Sequence, residues 1–335
     1  MAKSVTLADI AKRLGVSNVT VSKALAGKEG VSEQLRLKIK ALALEMGYKQ
    51  NVVSKGVRKA STCNVGILIP ECFLGKTESF YLKMYQNVVM QLTRNGLYNN
   101  MEILSRESED NLILPQMIQN RKVDALIVIG QIRHAYLRLM RNLNLPVMFL
   151  DFYDAQNETD CVISDGYYGM YKMTSYLIEN GHRNIAFVGS ILATSSITDR
   201  YFGYVKALME NGIELRNNWI IEDRNSAGVT QIKLPDELPT AFACNCDLTA
   251  YTLINMLKDR GYKVPEDISI VGFDNFVYSD LAKPAITTYE VDMPGMAKEC
   301  VNSIIKKIEN PAYKAKIKIV SGHMVIRESV KNISK

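Results

Sequence analysis

The amino-acid sequence predicts a small all-α head followed by an α/β core of two doubly wound lobes with parallel sheets. Helical periodicity dominates residues 1–49, whereas short apolar strands alternate with longer helical stretches from Asn64 onward. Such alternation is typical of βαβ units in a parallel sheet. The chain of 335 residues also exceeds the length at which one hydrophobic core keeps growing. More than one domain is therefore expected.

Positive charge is concentrated at the start of the chain. Residues 1–60 contain 12 Lys and Arg against 4 Asp and Glu, which leaves 29 basic and 31 acidic residues for positions 61–335. Clustered cationic side chains displace counterions from phosphates, so this asymmetry favours contact with nucleic acid. An ordinary solvated face is the alternative interpretation of such a cluster.

Two short helices with a sharp corner between them are predicted near the N-terminus. Thr6 can cap the first helix, Gly15 ends it, and Ser17 can cap the second. The inward-facing apolar positions are Leu7, Ile10, Ala11, Leu14, Val21, Ala24 and Leu25. A third helix is predicted to begin after Ser32 and to end at Gly47. This pattern is that of a helix-turn-helix.

The second helix carries the side chains that we expect to read DNA. Its N-terminal half is the part that enters the major groove in this motif. An amide such as Asn18 pairs with adenine edges, an ammonium such as Lys23 with guanine acceptors, and Val19 can touch a thymine methyl. A solvated helix face is the alternative for each residue. The predicted DNA-binding residues of the head are Thr6, Ser17, Asn18, Val19, Thr20, Ser22 and Lys23.

The core is predicted to contain two sets of strands. The first set comprises residues 65–70, 101–104, 125–129 and 147–150, and the second comprises 162–164, 185–189, 241–244 and 269–273. The predicted helices of the core are 80–95, 112–120, 135–143, 167–180, 199–211 and 248–260. Open α/β sheets bind ligands at the carboxyl ends of their strands, so a small molecule is expected in the cleft between the lobes.

Several motifs resemble the LacI/GalR family of transcriptional regulators. In the head they are residues 20–25 (TVSKAL), 30–33 (GVSE) and 46–48 (MGY). In the core they are residues 164–165 (SD) before Gly169, 181–186 (GHRNIA), 199–200 (DR), 203–204 (GY), 239–241 (PTA) and 264–274 (VPEDISIVGFD). The resemblance covers essentially the whole chain and implies a core of the periplasmic-binding-protein-like type I. One departure is Lys23, where most members have arginine.

The resemblance also implies a division of the chain. It places the DNA-binding headpiece at residues 1–49, a hinge segment that folds on DNA at 50–61, and an effector-binding and dimerisation core at 62–335. The first lobe is expected at about 62–158 and 292–321, and the second at about 159–291 and 322–335. The hinge residues implied to contact DNA are Asn51, Ser54 and Val57. Val57 replaces the family's minor-groove leucine, and Gly56 lowers helicity by about 1 kcal/mol relative to alanine.

For the effector, the resemblance implies a set of polar and aromatic contacts in the cleft. These residues are Arg200, Asp274, Asp247, Asp151, Phe80, Tyr81 and Cys246. Carboxylates accept from paired hydroxyls and a guanidinium donates in a fork, which suits a polar ring such as a sugar. Alternatives are a helix cap for Asp247, a local ion pair of Arg200 with Asp199, and core packing for the two aromatic side chains. Cys246 stands where the family commonly has asparagine, and Asn245 precedes it.

Two other classes of protein compete with this interpretation. Asp247 and Asp274 in one cleft are also compatible with a glycosidase, and a transport-type solute-binding protein shares the two-lobed core. The sequence lacks the Gly-x-Ser-x-Gly, Gly-x-x-x-x-Gly-Lys and Gly-x-Gly-x-x-Gly motifs, and a basic head stands where a secretory segment would be needed. We therefore expect no enzymatic activity and no cofactor.

Metal binding and membrane insertion are not expected. The six cysteines are scattered, with only Cys244 and Cys246 close together at a spacing that does not suit zinc, and the three histidines are far apart. No apolar run approaches the roughly 18–20 residues that a membrane span requires. A cytoplasmic location is expected.

The prediction is a repressor of carbohydrate-utilisation genes that a small polar effector, a sugar, controls allosterically. Two chains are expected to pair through their cores as a homodimer and to present two recognition helices to a near-palindromic operator in double-stranded DNA. Inducer and corepressor roles for the effector are both compatible with the sequence.

Overall fold

A computed structural model describes residues 6–25, 28–46, 63–74, 79–154, 158–225 and 228–334. Contacts within the chain divide it into two units, residues 1–57 and 58–335. The predicted boundaries of the hinge segment, near residues 49 and 61, lie outside the described residues. Those two boundaries therefore stay predictions.

Three helices form the described part of the head, α1 (Leu7–Leu14), α2 (Asn18–Leu25) and α3 (Glu33–Glu45). The backbone N–H and the hydroxyl of Thr6 both donate to the carboxylate of Asp9, at 2.7 and 2.6 Å, where α1 begins. Gly15 ends α1 with a φ of +65°, which turns the chain toward α2. The buried core of the head consists of Ile10, Ala11, Val21, Ala24, Ile39 and Ala43. The predicted helix-turn-helix is confirmed.

The core alternates strands and helices over most of its length. Its strands are β1 (Asn64–Pro70), β2 (Tyr98–Leu104), β3 (Ala125–Ile129), β4 (Val147–Leu150), β5 (Cys161–Ser164), β6 (Ile185–Val188), β7 (Ile220–Ile221), β8 (Ala241–Cys244), β9 (Ser269–Val271), β10 (Thr288–Glu290), β11 (Ile317–Val320) and β12 (His323–Val325). Its helices are α4 (Phe80–Arg94), α5 (Arg106–Asp110), α6 (Gln116–Gln119), α7 (His134–Arg141), α8 (Gly166–Glu179), α9 (Ser195–Glu210), α10 (Asp247–Asp259), α11 (Tyr278–Leu281) and α12 (Met293–Glu309).

Two parallel sheets organise the core. The first lobe has the strand order β11-β5-β4-β3-β1-β2, and the second has the order β7-β6-β8-β9. A separate antiparallel pair joins β10 to β12. In β3, Ala125, Ile127 and Ile129 pack into one apolar cluster while Leu126 and Val128 pack into another. Both faces of the first sheet are therefore covered, as expected of a doubly wound fold.

One predicted strand belongs to the other lobe. Residues 162–164 were expected in the second lobe, behind a boundary near residue 158, but β5 pairs in parallel with both β4 and β11 in the first sheet. That placement is wrong, because a short apolar run shows that a strand exists but not which neighbours it pairs with. The chain leaves the first sheet after β5, returns to it with α12 and β11, and leaves it again before β12.

The helix predicted at residues 112–120 is also different in the structure. Leu112 has a φ of +56°, and the chain forms the short helices α5 and α6 on either side of it. Pro115 directly precedes α6 and has no N–H to donate, so it begins a helix rather than continuing one. The strands β7, β10, β11 and β12 were not predicted.

Candidate functional site

The recognition helix α2 begins with a side-chain cap. The Ser17 hydroxyl accepts the backbone N–H of Thr20 at 3.1 Å and lies 2.9 Å from the Thr20 hydroxyl. Val21 and Ala24 are buried and fix which face of the helix is turned inward. The opposite face therefore stays open to solvent.

The exposed face of α2 presents most of the predicted DNA-binding residues. Asn18, Ser22 and Lys23 are exposed, and Val19 is exposed to 63% although it is apolar. Thr20 is half-buried and its hydroxyl is engaged with Ser17. Thr6 is exposed at the start of α1. The remaining predicted residues, Asn51, Ser54 and Val57, lie outside the described residues.

The side chain of Arg200 makes several contacts at the junction of the two lobes. It lies on α9 with 5% of its surface exposed. Its Nη1 donates to the carbonyl oxygen of Asn245 at 2.5 Å, and its Nη2 donates to Asp274 Oδ1 at 3.1 Å. The guanidinium carbon lies 3.9 Å from the centre of the Phe273 ring. Its Nε is buried without a hydrogen-bond partner among the described residues.

Two aspartates face this guanidinium from opposite lobes. Asp151 follows β4 in the first lobe and Asp274 follows β9 in the second. Both have left-handed backbone conformations, with φ of +69° and +106°. Such conformations are strained for residues other than glycine and cluster at functional sites. Asp151 Oδ2 accepts the Tyr81 hydroxyl at 2.9 Å, while its Oδ1 is buried without a partner in the described part of the chain.

Burial changes the protonation of both carboxyl groups. Burial raises the pKa of Asp151 to about 6, although Arg200 and the Tyr81 hydroxyl oppose the change. Burial likewise raises the pKa of Asp274 to about 7, with Arg200 lowering it and Asp151 raising it further. Both pKa values are raised chiefly because burial disfavours the charged carboxylate, and the single guanidinium of Arg200 offsets this only in part.

Asp247 is turned toward its own lobe. Its Oδ1 accepts the Thr288 hydroxyl at 2.7 Å and its Oδ2 accepts the backbone N–H of Phe276 at 2.8 Å. Asp247 is 1% exposed, and a Cβ on Gly272 would lie 2.2 Å from its Oδ1. The carboxylate therefore braces the loop that carries Asp274. Asp247 is therefore neither a helix cap nor a free acceptor in the cleft.

Cys246, at the position where the family commonly has asparagine, and the preceding Asn245 have different hydrogen-bond partners. Cys246 is half-buried, and its Sγ lies 3.2 Å from the hydroxyl of Thr249. Asn245 is 1% exposed and donates through Nδ2 to Val188 and Asp223, at 3.0 and 2.7 Å. The Asn245 amide is therefore engaged within the second lobe.

An ion pair that was not predicted from the sequence lies at the edge of the cleft. Arg224 donates through Nε and Nη2 to both carboxylate oxygens of Asp223, at 2.9 and 2.7 Å. Burial alone would raise the pKa of Asp223, but Arg224, Ser190 and Asn245 hold that pKa below its usual value. The sequence signal for this pair was weak, because the strand that precedes it, β7, has only two residues.

Two hydrogen bonds join the lobes beside this cluster. The Tyr153 hydroxyl in the first lobe donates to Asp199 Oδ1 on α9 at 2.8 Å. The side chain of Gln131, which follows β3, accepts the backbone N–H of Ser195 at 2.7 Å. Asp199 is thus engaged across the cleft, and the ion pair of Arg200 is with Asp274.

Aromatic rings fill the space next to the two aspartates. Phe80 and Tyr81, both predicted, lie on the first turn of α4 with ring centres 5.3 Å apart. The ring of Phe73 lies 4.4 Å from Tyr81, and the ring of Phe276 in the second lobe lies 6.3 Å from Phe80. Phe80 and Phe276 thereby face each other across the cleft.

A cavity of about 790 Å³ opens beside this group of rings. Phe73 and Gln131 line it from the first lobe, and Ser190, Thr194 and Arg224 line it from the second. Because these residues follow strands β1, β3, β6 and β7, the cavity lies at the carboxyl ends of the strands, where open α/β sheets bind ligands. Of the predicted effector residues, Asp151, Arg200, Asp274, Phe80 and Tyr81 are brought together near one another. None of these five lines the cavity, which adjoins them through Phe73, whose ring contacts Tyr81.

In the part of the chain that the structure describes, no helix combines the length and apolar character needed to cross a bilayer.

A helix-turn-helix head and a core of two doubly wound lobes define a class of ligand-responsive DNA-binding regulators. Residues 6–51 match the model for bacterial regulatory proteins of the lacI family, and residues 174–330 match that for a periplasmic binding protein-like domain. The chain thus combines a lacI-family DNA-binding domain with a periplasmic-binding-protein-like domain, and it is a DNA-binding transcriptional repressor of the LacI/PurR type. The predicted family and fold class are confirmed.

Relatives of known kind extend over nearly the whole chain. The HTH-type transcriptional repressor PurR of Histophilus somni (strain 129Pt) is 26% identical over 342 residues, which cover 98% of this chain and 99% of the relative. The PurR repressor of Photobacterium profundum is 27% identical over 341 residues, with the same coverage of both chains.

Solved structures show the same fold. The transcriptional regulator CelR in complex with cellobiose has a TM-score of 0.70 at 22% identity, covering 97% of this chain and 99% of CelR. The lac repressor dimer bound to operator and the anti-inducer ONPF has a TM-score of 0.65 at 22% identity, covering 98% and 100% of the two chains.

Proposed function

We propose that this repressor binds a small polar effector, a sugar, in the cleft between its lobes, and that the bound effector changes its affinity for operator DNA. The regulated genes are those of carbohydrate utilisation. The repressor acts as a homodimer on a near-palindromic operator, so that each head contacts one half-site.

The observation that carries this proposal is the Arg200 cluster. One guanidinium meets an aspartate from each lobe, and an adjacent cavity of about 790 Å³ is lined by residues of both lobes. Buried donors and acceptors combined with aromatic rings are the groups that hold hydroxyl-rich rings, and the cavity adjoins them through Phe73. The CelR structure, a complex with cellobiose, supports a sugar for a related fold.

On the DNA side, the exposed face of α2 supports the proposed contacts. Asn18 and Lys23 can donate to base edges in the major groove, and the exposed Val19 can meet a thymine methyl. Lysine makes a single-point contact in place of the two-point fork of arginine, so a weaker discrimination for guanine is expected. The lac repressor dimer bound to operator supports a two-headed arrangement.

Coupling between the two sites follows from the bonds that join the lobes. The effector contacts Asp151 of the first lobe and Arg200 and Asp274 of the second. These groups lie near the hydrogen bonds of Tyr153 and Gln131 that join the lobes. Effector binding changes the angle between the lobes and so the ability of the segments at residues 50–61 to pair on DNA. Couplings of this kind amount to about 1–3 kcal/mol.

The test measures operator affinity of the intact chain by fluorescence anisotropy, with and without sugars that raise its melting temperature. Arg200→Ala should abolish the response to sugar and leave operator affinity in the absence of sugar unchanged. Arg260→Ala, which removes a guanidinium from the exposed end of α10, is the matched control and should respond as the parent does. Loss of operator binding together with the response, or an undiminished response, would contradict the proposal.

A further inference from the structure

The polar cluster of the cleft contains two carboxyl groups, those of Asp151 and Asp274, and one guanidinium, that of Arg200. Asp151 and Asp274 both face Arg200, and Arg200 makes its ion pair with Asp274 alone. Asp151 is 4% exposed and has only the neutral Tyr81 hydroxyl as a hydrogen-bond donor. One carboxylate is therefore buried at the junction of the lobes without a cation of its own.

Neighbouring ionisable groups do not correct this imbalance. Arg224, the other guanidinium near Asp274, is held through two nitrogens by Asp223, so that pair is neutral. Asp199 accepts from Tyr153 across the cleft and adds a further negative charge near Arg200. Asp247 accepts from groups of its own lobe and supplies no cation. Burial raises the pKa of the Cys246 thiol to about 11, so it carries no charge at neutral pH.

Geometry supplies a second, independent observation. Asp151 Oδ1 has no hydrogen-bond partner among the described residues and is closed off from solvent. A buried acceptor in this condition costs free energy unless a donor reaches it. Its other oxygen is occupied by Tyr81, so the open position is directed away from that hydroxyl.

Aromatic rings beside the aspartates favour the same kind of ligand. Phe73, Phe80, Tyr81 and Phe276 form a continuous series of ring contacts between 4.4 and 6.3 Å. Ring faces attract cations, and carboxylates combined with aromatic rings are a common way to bind an ammonium group. A neutral sugar can stack on the rings and donate a hydroxyl to the carboxylate, but it brings no positive charge to the cluster.

We propose that the effector carries a protonated amine, so that an amino sugar is preferred over the neutral sugar of the same ring. The ammonium donates to Asp151 Oδ1 and neutralises the unpaired carboxylate, while the hydroxyls of the ring meet Asp274 and Arg200. This inference rests on the proposed function, because it assigns the chemical class of the ligand in that cleft.

The experiment compares glucosamine, glucose and N-acetylglucosamine on the intact chain by isothermal titration calorimetry at pH 6.5. Glucosamine should bind at least about tenfold more tightly than the other two, because only glucosamine carries the charge. It should also release protons on binding, since the pKa values of about 6 and 7 leave the two carboxyl groups partly protonated at this pH. Repeating the titration in two buffers with different ionisation enthalpies measures this release.

Variants assign the effect to one carboxylate. Asp151→Asn keeps the shape of the side chain but removes its charge, so it should lower glucosamine affinity about tenfold and abolish most of the preference for glucosamine over glucose. Asp236→Asn removes the same charge from an exposed position of the second lobe and is the matched control. Affinity for glucosamine should also fall about tenfold between pH 7 and pH 5, as Asp151 and Asp274 take up protons.

The outcomes separate the inference from the proposed function. Equal or tighter binding of the neutral sugars, with the Arg200 dependence intact, overturns the amine and leaves the sugar effector in place. Preference for a sugar phosphate overturns it in favour of an anion held by Arg224. Failure of all these sugars to bind contradicts the amine together with the sugar effector.

Discussion

The stability of the core should fall as pH rises from 5 to 7.5. The pKa values of Asp151 and Asp274, about 6 and about 7, are both higher than the value of an aspartate in an unfolded chain, about 3.9. The folded state therefore holds more protons between these values. Its stabilising contribution is complete below pH 3.9 and is lost as pH rises through 6 and 7.

The magnitude follows from the two shifts. With about 1.4 kcal/mol per pH unit for each fully protonated group, the loss between pH 5 and 7.5 is on the order of 4 kcal/mol for the pair. His182 acts in the opposite direction, because burial lowers its pKa and its neutral form is favoured in the fold. Asp223, whose pKa is lowered, changes stability only below this window.

Reversible urea unfolding measures the effect directly. Trp219 is the single tryptophan of the sequence and is 2% exposed in the second lobe, so its fluorescence reports unfolding. Asp151→Asn and Asp274→Asn should each reduce the slope of unfolding free energy against pH, while Asp236→Asn should keep the parental slope. A parental free energy that is constant or rises over pH 5 to 7.5, or variants with the parental slope, would refute the reasoning.

Three further predictions concern single contacts. Ser17→Ala removes the cap of the recognition helix and should destabilise the head by about 1 kcal/mol and weaken operator binding, whereas Ser17→Asn should restore both in thermal melts and anisotropy. Gly203→Ala places a Cβ 2.1 Å from the carbonyl oxygen of Tyr167, so α8 and α9 must separate. Urea unfolding should show that the free energy of unfolding falls by about 1–3 kcal/mol. An unchanged midpoint would contradict the close approach of the two helices. Tyr153→Phe removes one hydrogen bond between the lobes and should lower the free energy of unfolding by about 1 kcal/mol. Small-angle scattering should show a larger radius of gyration for this variant, and an identical scattering curve would count against the bond.

Local signals predicted the head well. Thr6, Gly15 and Ser17 mark helix ends by chemistry that acts within a few residues, and the structure begins and ends α1 and begins α2 at those positions. The same holds for β3, whose five apolar residues are buried on both faces. In each case the cause lies in neighbouring residues of the chain.

Pairing and tertiary hydrogen bonds could not be predicted in this way. β5 pairs with β4 on one side and on the other with β11, which lies more than 150 residues away. The direction of the Asp247 carboxylate is set by Thr288 and by the loop at Phe276, and Arg224 gains its importance from Asp223 beside a cavity. The predicted contacts at Asn51, Ser54 and Val57 stay predictions, as do the roles assigned to the individual effector residues.

The claim that α2 reads DNA is tested most directly by measuring the sequence-specific DNA binding of the chain. The intact chain is used to select duplexes from random sequence, and affinity for the selected duplex is compared with that for a scrambled one. We predict that Asn18→Ala combined with Lys23→Ala removes most of the preference for the selected duplex. Lys298→Ala, which removes an exposed cation from α12, should leave this preference unchanged. Full preference in the double variant would contradict the assignment of DNA reading to α2.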